Sequence, residues 1–316
     1  MSPMKNRSAG VPDFSREGML EIMRGLKGKL LIDEPMSRHT SWRTGGIADY
    51  FYTPANKADL IQLLKQLPPQ IPLHWIGLGS NLLVRNEGVR GMVIRTSKGL
   101  SEFELIAPDR LYLESGVACA KVARIAARNN LTGVEFLAGV PGTFGGALAM
   151  NAGAFGAETW QWVERVECVD RHGQCKKIQA KDLSYSYRQV ALPEDCWILS
   201  GTLALGLADS GYSGKDKIRS LLEKRSASQP IQSANAGSVF KNPPADFAAR
   251  LIEDAGLKGH TVGDAAISEI HANFIVNQGN ATSADIEQLI NIARDRVKQH
   301  SGVELDLEVR IIGGEK

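Results

Sequence analysis

From Gly133 to Gly156 the chain carries seven glycines in 24 residues, out of 32 in the whole 316. That is about three times the average density of this sequence, so the cluster needs a local cause. Glycine admits positive φ and lets a ligand approach backbone N–H groups with no Cβ in the way. Small neighbours extend the pattern: Ala147, Ala149, Asn151, Ala152 and Ala154. An isolated pair of glycines would read as a tight turn. This density, set among hydrophobic residues and not in a polar linker, points to a ligand held by successive amides, most often a phosphate.

A second glycine turn, GLGSNLL at 77–83, follows the strand-like run PLHWI. It opens like a Gly-x-Gly-x-x-Gly fingerprint, but Leu82 stands where the third glycine belongs and no clear helix pattern follows. A Rossmann domain is therefore not expected, and no Gly-x4-Gly-Lys-Ser/Thr run signals a P-loop. What remains is a Gly-Ser-Asn turn whose amides and hydroxyl suit a pyrophosphate. Together the two loops suggest a dinucleotide gripped from two sides.

A chain of this length is expected to form two or three lobes and bury a sizeable core. Hydrophobic residues make up 43% and charged residues 23%, an ordinary soluble balance. The net charge of +2 gives no reason to expect nucleic acid or an anionic membrane as partner. No run of about 18 apolar residues suggests a membrane span. The opening MSPMKNRSAGVPDF has no apolar core of a signal peptide. Cys119, Cys168, Cys175 and Cys196 are scattered, with no Cys-x-x-Cys pair. A reducing compartment, the cytoplasm, and a monomer are the expectation. The six histidines (His39, His74, His172, His260, His271, His300) lack ligand spacing, so no metal site is expected.

Periodicity predicts a helix capped by Ser15, a helix over KADLIQLLKQL stopped by Pro68, and a helix over CAKVARIAARNN. It predicts a hairpin around His172-Gly173, a charged helix after the composition shift at 208–214, and a helix ADFAARLIEDA ended by Gly256. A helix over 283–300, capped by Ser283, places acids at its start and bases near its end, as the helix dipole favours. HANFIVN and VELDLEVRII read as strands. Strands and helices mix without a βαβ rhythm, so the class is α+β.

The stretches HTSWRTGGIADYF, GLGSNLLV, GVEFLAGVPGTFGGALAMNAGAFG, SYSYR, GSVFKNP, LIEDAGLKG, HANFIVN and LEVRIIG stand in that order. So ordered, they resemble the motifs of the UDP-N-acetylenolpyruvoylglucosamine reductases over roughly residues 30 to 314. The short interval between Arg188 and Ser238 resembles the compact subtype of that family, which lacks an inserted loop bringing a substrate-clamping tyrosine. The resemblance implies an FAD-binding fold of the vanillyl-alcohol-oxidase (PCMH) type, built of two α+β subdomains plus a C-terminal α+β substrate-binding domain. Expected boundaries are a tail and helix over 1–35, a cofactor domain over 36–207 (about 36–97 and 98–207), and a substrate domain over 208–316.

The resemblance further implies non-covalent FAD, NADPH as hydride source, and a UDP-sugar enolpyruvyl ether as substrate, reduced to UDP-N-acetylmuramate for peptidoglycan. Cofactor contacts are expected from Gly77, Gly79, Ser80, Asn81 and Leu82 on one loop. On the other they are expected from Gly139, Pro141, Gly142, Gly145, Gly146, Asn151, Ala152 and Gly153. Arg188 would stabilise negative charge on the substrate, Ser238 would donate the proton and Glu308 would belong to the acid system. Tyr187, Arg225, Asn242 and Arg310 are the expected substrate contacts. Alternation through Val303–Ile311 predicts that Glu308 and Arg310 share one face. Two other readings stay open from residues alone: an FAD oxidase or dehydrogenase for another substrate, and a non-catalytic nucleotide-sugar binder.

Overall fold

The computed structural model describes residues 16–314; the expected cap Ser15 lies outside them. Helix α1 is Arg16–Ile22. A four-stranded sheet follows: β1 (Lys29–Pro35) pairs antiparallel with β2 (Ile47–Thr53), while β3 (Leu73–Ile76) and β5 (Val89–Arg95) complete it in parallel. Helix α2 (Lys57–Gln66) is capped by Asn56, whose side chain accepts from Asp59 N–H, and buries Leu60, Leu63 and Leu64 against this sheet. Strand β4 (Leu82–Val84) leaves the GLGSN turn directly, with no helix between.

A five-stranded antiparallel sheet forms the second lobe. Its order is β12 (Cys175–Gln179), β11 (Val163–Val169), β15 (Trp197–Ala204), β7 (Arg110–Glu114), β6 (Phe103–Ala107). Helix α3 (Cys119–Arg128) buries Val122, Ala123, Ile125 and Ala126 on it. Helix α4 (Phe144–Met150) lays Phe144 and Leu148 over Gly201, where a Cβ would come within about 3.2 Å of both. Three two-stranded pairs trim this lobe: β8 (Leu131–Thr132) with β16 (Gly206–Leu207), β9 (Gly153–Ala154) with β10 (Ala157–Glu158), and β13 (Tyr185–Ser186) with β14 (Gln189–Val190).

The substrate domain is expected to begin at 208, ahead of the next helix. Helix α5 (Gly214–Ser228) sends Ile218 into the core of the five-stranded lobe and packs on α3, so it belongs with that lobe. The third lobe has β17 (Thr261–Val262), β18 (Ala265–Ile267) and β19 (Ile275–Asn277), covered by α6 (Ala248–Asp254) and α7 (Ser283–Ser301). Thr282, one residue before the expected Ser283, caps α7 through a capping box with Asp285, and Gly302 ends it at φ 73°.

Two pieces of the first lobe plug into the third. Trp42 is fully buried in the third core; its indole donates to Ile275 O at 2.7 Å, and Asn277 Nδ2 donates to Trp42 O at 2.8 Å. Losing a side chain so buried costs about 3–5 kcal/mol, so Trp42 is a principal clamp between lobes. Strand β20 (Arg310–Ile312) pairs in parallel with β4. Among the described residues no helix is long and apolar enough to cross a membrane.

Candidate active site

The three lobes meet at a cleft of about 610 Å³ including its open mouth. Ser80 and Asn81 line it from the first lobe; Gly139, Pro141, Ala152, Gly153 and Arg188 come from the second. Arg225 enters from α5, and Ser238 and Glu308 from the third lobe. Ten residues singled out from sequence are thus brought together. Ser80 Oγ donates to Pro141 O at 3.0 Å, so the two glycine-bearing loops touch.

Several expected contacts have other duties. Gly79 (φ 63°) is packed so tightly that a Cβ would lie 1.9 Å from His39 O; a Cβ on Gly77 would lie 2.4 Å from Thr143 Oγ1. Leu82 is buried in the core of the first lobe. Asn151 is fully buried, its side chain bonded to Glu158, Ser186 and Trp160. Tyr187 is exposed, its hydroxyl accepting from Asn242 N–H at 3.4 Å, while Asn242 Oδ1 accepts from Ala248 N–H and so closes the start of α6. None of these six, nor Arg310, is among the cleft-lining residues.

Arg310 is exposed and lies outside the cleft lining. Only Arg310–Ile312 is a strand, and the segment before it changes partner. Glu308 N–H donates to Val239 O at 2.9 Å, its carbonyl accepts from Asn81 Nδ2 at 2.9 Å, and Arg310 N–H donates to Asn81 O at 3.1 Å. The two-residue alternation survives the switch: Leu305 and Val309 are buried in the third core with Val303, Leu307 and Ile311 packed on it, while Glu308 lines the cleft and Arg310 is exposed.

Ser238 belongs to the segment on which Glu308 rests. Gly237 before it has φ 78° and no atom within 4 Å of where its Cβ would be, so this turn approaches the cleft bare. Asn273 fixes the other side: Phe240 N–H donates to Asn273 Oδ1 (2.9 Å), Asn273 Nδ2 donates to Phe240 O (2.8 Å), and Val239 N–H donates to Asn273 O (2.9 Å). HANFIVN carries no spacing that announces this role. Gln229, Met150 and Phe274 also line the cleft without a sequence signal.

Arg188 is a non-glycine residue at φ 56°. Such a conformation costs on the order of 1–3 kcal/mol and persists where the surroundings over-determine it. Here Nε donates to Glu308 Oε1 at 2.8 Å, Nη1 to Asn151 O at 3.3 Å and Nη2 to Gly153 O at 2.9 Å. The guanidinium keeps further N–H donors for a ligand carboxylate. Burial pushes the Glu308 carboxyl above the usual carboxylate range, and the charges of Arg188 and Lys241 pull it only partly back. Arg225 Nε donates to Gln229 Oε1 at 2.9 Å, and it has no carboxylate partner among the described residues. Burial disfavours its charge, so an anion arriving there replaces lost hydration.

These residues fit FAD. The amides of Gly79, Ser80, Asn81 and Gly142 donate to no protein acceptor among the described residues, which suits an acceptor-rich pyrophosphate. The helix glycines divide. A Cβ on Gly145 would lie 2.5 Å from Ser115 Cβ, so Gly145 serves packing; a Cβ on Gly146 would meet nothing nearer than Thr143 Oγ1 at 3.7 Å. Gly146→Val is therefore expected to weaken FAD binding at least about tenfold while the apoprotein keeps its melting temperature. Gly145→Val is expected to lower that temperature. Flavin absorbance per protein and apoprotein melting check both; stoichiometric flavin in Gly146→Val would remove the cofactor from this face.

Comparison with known proteins agrees with this geometry. Residues 48–179 match the model of an FAD binding domain, and residues 229–312 match that of the UDP-N-acetylenolpyruvoylglucosamine reductase C-terminal domain, which starts just after α5. The UDP-N-acetylenolpyruvoylglucosamine reductase of Methylococcus capsulatus is 52% identical over 298 residues, 94% of this chain and 98% of its own. That of Legionella pneumophila is 48% identical, covering 91% of this chain and 93% of its own. The crystal structure of the Thermus caldophilus reductase superposes with a TM-score of 0.77 at 31% identity, over 90% of this chain and 99% of that one. The similarity runs along nearly the whole length of this chain and of its relatives, and the chain belongs to the UDP-N-acetylenolpyruvoylglucosamine reductase family.

Proposed function

We infer that this chain, an FAD-dependent oxidoreductase, reduces the enolpyruvyl group of UDP-N-acetylenolpyruvoylglucosamine to give UDP-N-acetylmuramate for peptidoglycan, with NADPH as reductant. The observation that carries the reading is the convergence of Arg188, Ser238 and Glu308 on the cleft walled by both glycine-bearing loops. FAD held by the two glycine-bearing loops would supply the hydride chemistry, with NADPH as source and carbon 3 of the enolpyruvyl group as acceptor.

Negative charge then builds at carbon 2 and spreads into the adjoining carboxylate. Arg188, held rigid by two carbonyls and Glu308, stabilises that charge without having to reorganise. Ser238 gives its hydroxyl proton to carbon 2. The resulting alkoxide needs a proton in turn, and Glu308, whose burial favours the protonated carboxyl, is placed to resupply it. Arg225 binds a phosphate of the substrate. A related oxidase for another substrate would share the cradle but have no use for this acid pair. The reading carries with it the expectation of a cytoplasmic monomer.

The test is anaerobic. NADPH should bleach the bound flavin, and the enolpyruvyl substrate, and no saturated UDP-sugar, should restore its colour with one product formed per flavin. Colour that returns only on admission of oxygen would overturn the reading.

A further inference from the structure

We propose that Asn151 is the positioning residue for Arg188 and not a ligand of the cofactor. This rests on the assignment of Arg188 to the reduction step.

Asn151 ends α4 in the left-handed region, at φ 47° and ψ 54°. Asparagine tolerates that conformation better than most residues, but glycine would do so at less cost, so the side chain must have its own use. It is fully buried, and each of its polar atoms is occupied. Nδ2 donates to Ser186 O and to Glu158 Oε2, both at 2.9 Å; Oδ1 accepts from Trp160 N–H at 3.1 Å. Both N–H donors of the amide are then spent on protein.

The bonds converge on Arg188. Ser186 O belongs to β13, two residues before Arg188 in the tight β13–β14 hairpin, and Arg188 is the hairpin residue with positive φ. From the opposite side, the Asn151 carbonyl accepts from Arg188 Nη1 at 3.3 Å. One residue therefore holds the arginine at both ends, its backbone through the side chain and its guanidinium through the main chain. Gly153 O, two residues on, takes Nη2 at 2.9 Å. A Cβ on Gly153 would lie 3.1 Å from Arg188 Nη1, so the guanidinium is packed flush on this turn. The turn follows the helix that begins at the cofactor loop, which links the loop directly to the arginine.

The decisive variant is Asn151→Gly, which keeps the left-handed turn and removes all three side-chain bonds. FAD should remain stoichiometric and NADPH should bleach it at the parental rate. Reoxidation by the enolpyruvyl substrate should slow about 10–100-fold, the loss expected when a reacting group is misplaced by about 1 Å. In an Arg188→Gly background the same change should cost nothing further, because the residue it positions is gone. Loss of FAD from Asn151→Gly would make Asn151 a cofactor ligand, and an equal additional loss in both backgrounds would make it a general structural residue; either overturns the proposal. If Asn151→Gly does not fold, the double variant Asn151→Asp/Glu158→Gln restores the 151–158 bond with reversed polarity and leaves only Ser186 O unpaired. It should show the same selective slowing, and parental reoxidation there would also refute the idea. Failure of the parent enzyme to be reoxidised by the substrate would instead count against the reaction itself.

Discussion

Ser238→Ala is expected to accept electrons from NADPH at a near-parental rate and then to reoxidise with substrate about 10²–10⁴-fold more slowly, or slower still. Only the second half-reaction consumes a proton at carbon 2, so only that half should suffer. Substrate affinity should change little, since the hydroxyl acts as charge builds up and not in the bound ground state. Ser238→Cys should recover part of the loss, because a thiol can donate from nearly the same place on the turn after Gly237. Anaerobic stopped-flow absorbance separates the halves. Reoxidation of Ser238→Ala at the parental rate would reduce the serine to a turn residue and make Glu308, or a water it holds, the acid.

Replacing Arg188 should have two effects. Its donors are aimed where charge develops, and removal of one such donor typically costs about 10²–10³-fold in turnover. Arg188→Gly is the cleaner variant, because glycine accepts the positive φ that alanine would resist. The second effect is a shift in pH dependence. Burial, the larger influence on Glu308, persists in the variant, while the neighbouring charge that favours its ionised form disappears. Glu308 should then hold its proton to higher pH, so the limb of the reoxidation profile governed by it should move upward. A limb that stays fixed or moves downward would separate Glu308 from the titration of this site.

The sequence was most legible where structure is local. The helices α2, α3 and α7 follow from their apolar stripes and end signals, and the 170–174 turn from its Asp and Gly residues. The alternation through Glu308 and Arg310 was legible, but the length of the strand was not: it shrinks to Arg310–Ile312 because the segment before it bonds partners far away in the chain, Val239 on one side and Asn81 on the other. Glycines misled in another way. Gly79 and Gly145 make room for protein and Gly146 for open space, yet one letter stands for both uses. Helix α5 shows an apolar side but not which lobe it will cover. Asn151, Gln229 and Asn273 act through bonds that no spacing encodes.

The pairing of β20 with β4 fixes an order of events during synthesis. Asn81 and Glu308 lie 227 residues apart in the chain. At roughly 5–20 residues per second, a ribosome exposes the GLGSN turn some 10–45 s before the acid that is to work beside it. The two glycine-bearing loops precede α6, whereas Glu308 and β20 follow α7. Until then β4 lacks its strand partner and Trp42 lacks the core that buries it. A stop codon anywhere before Glu308 deletes the acid and β20, the anchoring strand, in the same cut.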